Sequence, residues 1–367
     1  MKNTKPIVVI SAVNFSDSGP LSILKDATTA FIKYFSADYH LVLLVNSRLL
    51  IQQFADADIE MLEYTYPKKS WLLRVWFEYV HCWFISKKMQ PFFWLALHDM
   101  TPNVSCTGKA VYCHNPAPFY KLSMKEAMME KSLVFFNLFY GMFYRINIKS
   151  NKFIIVQQQW LRDEFIKRYK VKHVVVAYPD VQLPVVIDKP GIPNKKFQFF
   201  YPAFPRVFKN YEVLFDAAAL LQKKNIDFEV VVTIDGNENA YTKYLFKKYG
   251  MLSCVKFIGL QKRDAVLQQY NESDALVFPS KLETWGLPIT EIKLYNKTIL
   301  VANCRYAYET VGNYGKACFF DPNDPLHLSG LMEKAINYSL VFDTPASTAP
   351  QQPFTKNWKE LFSLILS

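Results

Sequence analysis

The chain is short of the features that would place it in several large classes. Its six cysteines (Cys82, Cys106, Cys113, Cys254, Cys304, Cys318) contain no C-x-x-C pair. They read as buried, reduced thiols of a cytosolic protein rather than a disulfide framework. No apolar run reaches the roughly 20 residues that a spanning helix needs. No secretory signal pattern opens the chain, because 1–6 passes directly into a strand-like run at 7–10. The expected location is therefore cytoplasmic. Low-complexity tracts are few. The basic residues do not gather into a dense, aromatic-interleaved cluster, so nucleic acid is not an expected partner. Asp56-Ala57-Asp58 mimics a metal-binding D-x-D but reads as solvated surface. No metal and no cofactor are expected.

What is present points to two α/β domains. A chain of 367 residues with 51% apolar content is too long for one ordinary core. Strand-like runs at 7–10, 40–45, 61–64, 93–97, 111–113 and 153–156 alternate with helical stretches at 21–35 and 48–55. The Pro- and Gly-broken stretch 185–196 reads as a linker. A second alternating series follows: strands at 197–201, 228–234, 255–258, 275–278 and 298–302, with helices at 211–224, 240–249, 263–270 and 326–338. Such alternation predicts parallel sheets with helices on both faces. Ligands gather at the carboxyl ends of strands in sheets of this kind. The expected division is 1–184, joined by a returning C-terminal helix at 354–367, and 197–343.

The stretch that organises the rest is VFPSKLETWGLPITE, ending at Glu291. The strand 275–278 runs into a loop holding Glu283, then Gly286 and Leu287, then Pro288, which suits the first turn of a helix. Glu291 lies one turn beyond Pro288. A helix start offers unpaired N–H groups and partial positive charge, where a phosphate can sit. Carboxylates on either side can take hydroxyl groups, which is the layout of a nucleotide-sugar.

Glu283 and Glu291, with the preceding Phe278-Pro279-Ser280 and the internal Gly286-Leu287-Pro288, resemble the E-x7-E element of retaining glycosyltransferases of family 4, of the kind that builds bacterial surface polysaccharides. Glu309-Thr310-Val311 and the FFDPNDP run at 319–325 also fit. Where family members have a small residue and a glycine, this chain has Ile292 and Asn296. The resemblance implies the GT-B fold, two Rossmann-like doubly wound domains facing a central cleft. It implies a donor such as a UDP- or GDP-sugar, held mainly by the second domain. It implies a glycan or lipid-linked acceptor on the first. No covalent sugar–enzyme bond is firmly established in the family, and the leaving phosphate is thought to help deprotonate the acceptor.

The same resemblance assigns further residues. Gly19, before the first helix, stands where the family often has two glycines that admit the donor. His114, at the end of strand 111–113, corresponds to a histidine facing the donor sugar and joins Glu283 as a catalytic candidate. His98 is a second strand-end histidine with a weaker claim. Arg206 and Lys209 match two cations that grip the diphosphate, with Asn210 in place of a glycine. Backbone near Leu260 is expected to frame the nucleobase, and Gly286, Leu287 and Glu291 to bind the donor. The alternatives are a sugar-nucleotide epimerase of the same fold and a non-catalytic, membrane-attached sugar-nucleotide-binding protein.

One segment points to a membrane surface. Residues 71–85 (WLLRVWFEYVHCWFI) carry Arg74, Glu78 and His81 as a narrow polar stripe, bracketed by Lys68, Lys69, Lys87 and Lys88. The net charge of +11 is uneven. Residues 1–185 carry 22 Lys/Arg against 14 Asp/Glu (+8), and the remainder carries 21 against 18 (+3). The segment is either a core helix or a helix lying on an anionic membrane surface, on the inner face of the membrane. The aromatic-rich run 133–144 reads rather as core.

Overall fold

The computed structural model describes residues 5–16, 18–180, 196–343 and 349–367. Most of the expected linker, Asp17 and the run 344–348 lie outside them. The described residues form two compact units. One comprises 1–119, 138–180 and 350–367; the other comprises 120–137 and 181–349. Residues 120–137, which the sequence reading keeps in the first domain, group with the second.

The first unit is built on an eight-stranded parallel sheet. Its strands are β1 (Ile7–Ala12), β2 (His40–Val45), β3 (Glu60–Glu63), β4 (Phe93–Ala96), β5 (Gly108–Cys113), β6 (Phe153–Val156) and β7 (Val174–Ala177). The second sheet holds β8 (Phe197–Tyr201), β9 (Phe228–Val232), β10 (Val255–Phe257), β11 (Ala275–Phe278), β12 (Thr298–Ala302) and β13 (Ala317–Phe320). The last strand, β14 (Phe354–Thr355), returns to pair with β7. The orders are β14-β7-β6-β5-β4-β1-β2-β3 and β10-β9-β8-β11-β12-β13. Each sheet reverses direction once, between β1 and β4 and between β8 and β11. Those reversals are the places where doubly wound folds bind ligands.

The central strands are apolar without alternation, as burial on both faces demands. Val8, Val9, Ile10, Leu95, Phe199, Phe200, Leu276 and Val277 are all fully buried. The helix Trp358–Leu366 packs its apolar face on the first unit, with Phe362 against Phe31 (5.2 Å) and Trp358 stacked on Tyr112 (5.7 Å). Its cap is Asn357, which accepts from the Glu360 N–H. The six cysteines are unpaired, four of them buried.

Three local expectations change. The stretch expected as a helix at 48–55 is a 3-10 turn, Arg48–Phe54. The first helix starts at Ser18, so Gly19 lies in its first turn rather than in a loop before it. A Cβ at Gly19 would touch nothing within 4 Å, so packing does not require glycine there. The segment from residue 71 is a composite: α-helix Trp71–Trp76, a π turn Phe77–His81 and α-helix Cys82–Met89. Its polar stripe faces inward: Arg74 and Glu78 are buried, and His81 bonds the Tyr66 hydroxyl. The outward face is apolar, with Leu72 83% and Phe84 58% exposed beside Trp76, Val80 and Trp83. Among the described residues, no helix is long and apolar enough to cross a membrane.

Candidate functional site

In the second unit the candidate residues converge on the sheet reversal. Arg206 and Lys209 follow β8, and Glu283 and Gly286 follow β11, its neighbour. The two loops are sewn together. Lys281 N–H donates to the Phe208 carbonyl (2.8 Å), and Asn210 Nδ2 donates to the carbonyls of Pro279 (3.1 Å) and Pro322 (2.7 Å). Asn210 has φ 56°, in the left-handed region. The position therefore tolerates asparagine where the resemblance leads one to expect glycine, because asparagine enters that region more readily than other side chains. Here it also staples the loops after β8, β11 and β13.

Lys209 Nζ lies 2.5 Å from Glu283 Oε1, and both side chains are largely buried. The ammonium also sits 5.6 Å from the Phe208 ring centroid and 5.8 Å from that of Phe278. An ammonium has three donors, so pairing with Glu283 leaves capacity for an anionic ligand. Arg206 Nε is paired with Glu130, whose other oxygen accepts from the Val207 N–H (3.0 Å). The sequence offered no signal for Glu130, which lies 77 residues from Val207.

Gly286 has φ 90°, and a Cβ there would meet Ile289 Cδ1 at 3.3 Å and Phe278 Cε1 at 3.4 Å. Both its backbone conformation and its close surroundings favour glycine. It leads into the helix Leu287–Lys293, with Pro288 in the first turn as expected. Glu291 is buried with both oxygens engaged. Tyr270 OH donates to Oε2 (2.7 Å), and Arg263 Nη1 donates to Oε1 (2.6 Å). Burial, then the Glu291 charge, pushes the Tyr270 hydroxyl far above its usual range, so it remains a donor. Leu260, half exposed, follows β10 and Gly259, which has φ 69°.

In the first unit His114 follows β5 and packs edge-on against Phe15, which lies just past β1 (centroids 5.6 Å). Its Nε2 lies 3.7 Å from Asp99 Oδ2. His98, at the end of β4, is fully enclosed: Nε2 meets Ser11 Oγ at 3.1 Å and Nδ1 faces Glu78 Oε1 at 3.4 Å. Burial, then the Arg74 charge, holds the His98 imidazole well below its usual range, so it is neutral. His98 is thus part of the interior of the first unit. Asp56 and Asp58 are exposed, and no cluster of three or more metal-ligand side chains occurs among the described residues.

Two doubly wound parallel sheets with these strand orders define the GT-B class of glycosyltransferase folds. The family described as "Glycosyl transferases group 1" matches residues 185–346, which covers most of the second unit. No curated protein matches the chain. Solved structures similar to it include the lipopolysaccharide outer core galactosyltransferase WaaB, at TM-score 0.64 and 14% identity over 92% of both chains. TarM is similar at TM-score 0.65 and 9% identity, over 92% of this chain and 93% of its own. HepE of Anabaena, solved in complex with UDP-glucose, aligns at TM-score 0.61 and 13% identity, over 99% of this chain and 96% of its own. At such identities the likeness is one of fold.

Proposed function

We propose that the protein is a retaining glycosyltransferase of family 4 that moves a hexosyl group from a nucleoside-diphosphate sugar to a glycan or lipid-linked acceptor. The observation that carries this reading is the Lys209–Glu283 pair beside Gly286, at the reversal of the second sheet. A departing diphosphate develops negative charge, and fixed donors in a preorganised site stabilise it. Lys209, with Arg206 near it in sequence and the start of the helix Leu287–Lys293, supplies that positive potential. On arrival of the donor, Lys209 exchanges part of its pairing with Glu283 for the phosphates. Glu283 then accepts from a hydroxyl of the transferring sugar, and Glu291, oriented by Tyr270 and Arg263, accepts from the ribose. Backbone beside Leu260 frames the base. On the first unit, His114 is the catalytic candidate and Gly19 a donor-binding one.

A uridine diphosphate donor is the favoured choice, because HepE was solved with UDP-glucose and with UDP. With cations and backbone donors meeting the diphosphate, turnover is expected to survive excess EDTA. We also place the protein at the inner face of a membrane, attached peripherally through residues 71–85. Their outward apolar side chains and flanking lysines support this.

The test is a panel of UDP- and GDP-sugars screened for thermal stabilisation, followed by acceptor-dependent release of nucleoside diphosphate. Binding raises stability by mass action. A panel that stabilises nothing, with no release in the presence of glycan acceptors, overturns the reading.

A further inference from the structure

Asp99 closes β4 in an unusual way. It has φ 70°, in the left-handed region, and it is buried. Holding a non-glycine residue there costs about 1–2 kcal/mol, so the surroundings must over-determine it. They do. Oδ1 accepts from the backbone N–H of His114 (2.7 Å), the N–H of Asn115 (3.1 Å) and the Tyr144 hydroxyl (2.8 Å). Oδ2 accepts from the Tyr140 hydroxyl (3.0 Å) and faces His114 Nε2 at 3.7 Å. Asp99 N–H in turn donates to the Tyr112 carbonyl of β5 (3.1 Å). Burial, then the Asp99 charge, pushes both tyrosine hydroxyls far above their ordinary range, so they stay protonated and donate.

The two nitrogens of His114 therefore see different surroundings. Nε2 has the carboxylate. Nδ1 is buried and has no hydrogen-bond partner among the described residues. A negative charge beside one ring nitrogen favours the tautomer that carries its proton there, and the other nitrogen is then left as an acceptor. We propose that Asp99 is a positioning residue that fixes the ring of His114 in its Nε2–H tautomer, leaving the buried Nδ1 as a bare lone pair. The inference rests on the reading above that His114 is catalytic. It adds a residue that acts through His114 and a defined tautomer of that ring.

The test combines 15N-histidine NMR with kinetics. The His114 signals are assigned by their loss in His114→Gln. Wild-type protein at neutral pH is expected to show the Nε2–H tautomer. Asp99→Asn keeps the shape and suits the left-handed backbone, and it is expected to yield a mixture of tautomers. Its kcat should fall roughly 10–100-fold, the range seen when a metal-bound histidine loses its carboxylate partner. Donor KM should stay within about threefold, as loss of a transition-state interaction predicts. In the His114→Gln background the same change should cost under about twofold, because the two residues act as a unit. A wild-type His114 protonated at Nδ1 overturns the inference without any variant. So does an Asp99→Asn penalty of equal size in both backgrounds, which marks a merely structural role. If His114→Gln retains full kcat, the catalytic reading of His114 falls instead, while the NMR still decides whether Asp99 sets the tautomer.

Discussion

Glu78 offers a quantitative test of the interior of the first unit. Its carboxyl is fully buried in the π turn, and neither oxygen has a hydrogen bond among the described residues. Burial pushes its pKa up to about 8, against a smaller opposing pull from Arg74. Arg74 spends its donors elsewhere, on the His98 carbonyl (2.8 Å) and on the Asn14 amide oxygen, turned to lie 3.0 Å from Arg74 Nε. The folded protein therefore keeps a proton on Glu78 that the unfolded chain releases above its ordinary value of 4.5. Because the folded pKa is raised on an acid, the stability is fully present below pH 4.5 and is lost as pH rises toward 8. At 1.36 kcal/mol per unit the penalty is about 1 kcal/mol at pH 5 and about 4 kcal/mol at pH 8. Glu78→Gln keeps the shape and removes the titration. The variant's Tm advantage should therefore grow by roughly 6–12 °C between pH 5 and pH 8, taking about 2–4 °C per kcal/mol for a unit of this size. Scanning calorimetry of both proteins across that range measures it. Parallel Tm curves would refute the reasoning and place an ionised, compensated Glu78 in the core.

Three further outcomes are expected. Glu291→Gln should weaken binding of the bare nucleoside diphosphate as well as the donor, whereas Glu283→Gln should lower turnover and spare nucleotide affinity; calorimetric titration separates them, and equal losses on the nucleotide contradict the assigned roles. Asn210→Ala should cost roughly 2–5 kcal/mol through backbone strain and two orphaned carbonyls, and Asn210→Gly should recover about 1 kcal/mol of it; thermal unfolding that ranks glycine no higher than alanine counts against the strain. Replacing Lys68, Lys69, Lys87 and Lys88 by Glu should release the protein from anionic liposomes in sedimentation, since each lysine contributes about 1 kcal/mol at such a surface, while activity on a water-soluble acceptor persists; wild-type protein that ignores these liposomes at low salt removes the membrane reading.

The sequence by itself determined the alternation of strands and helices, the two α/β units and the loop-to-helix stretch from Glu283 to Glu291. These are local signals. Unbroken apolar runs such as Phe153–Val156 and Ala275–Phe278, alternating with helical stretches, read as buried parallel strands, and Gly286-Leu287-Pro288 encodes a left-handed residue followed by a helix start. Asn210 could be read as a substitute for glycine, but not as the clamp across three loops, because its partners Pro279 and Pro322 lie 69 and 112 residues away. Strand order was likewise invisible: only the fold sets β8 beside β11, and with them Lys209 beside Glu283, 74 residues apart. Glu130, Arg263, Tyr270 and Asp99 carried no motif, since a partner supplied from a distant element leaves no spacing to detect. The stripe Arg74–Glu78–His81 was visible as a stripe, yet its direction was not. Periodicity records which side chains share a face of a helix. Whether that face meets water or the core depends on what packs against it. Here His98, Asn14 and Ser11 form a polar interior that takes the stripe inward and turns Leu72, Trp76 and Phe84 out.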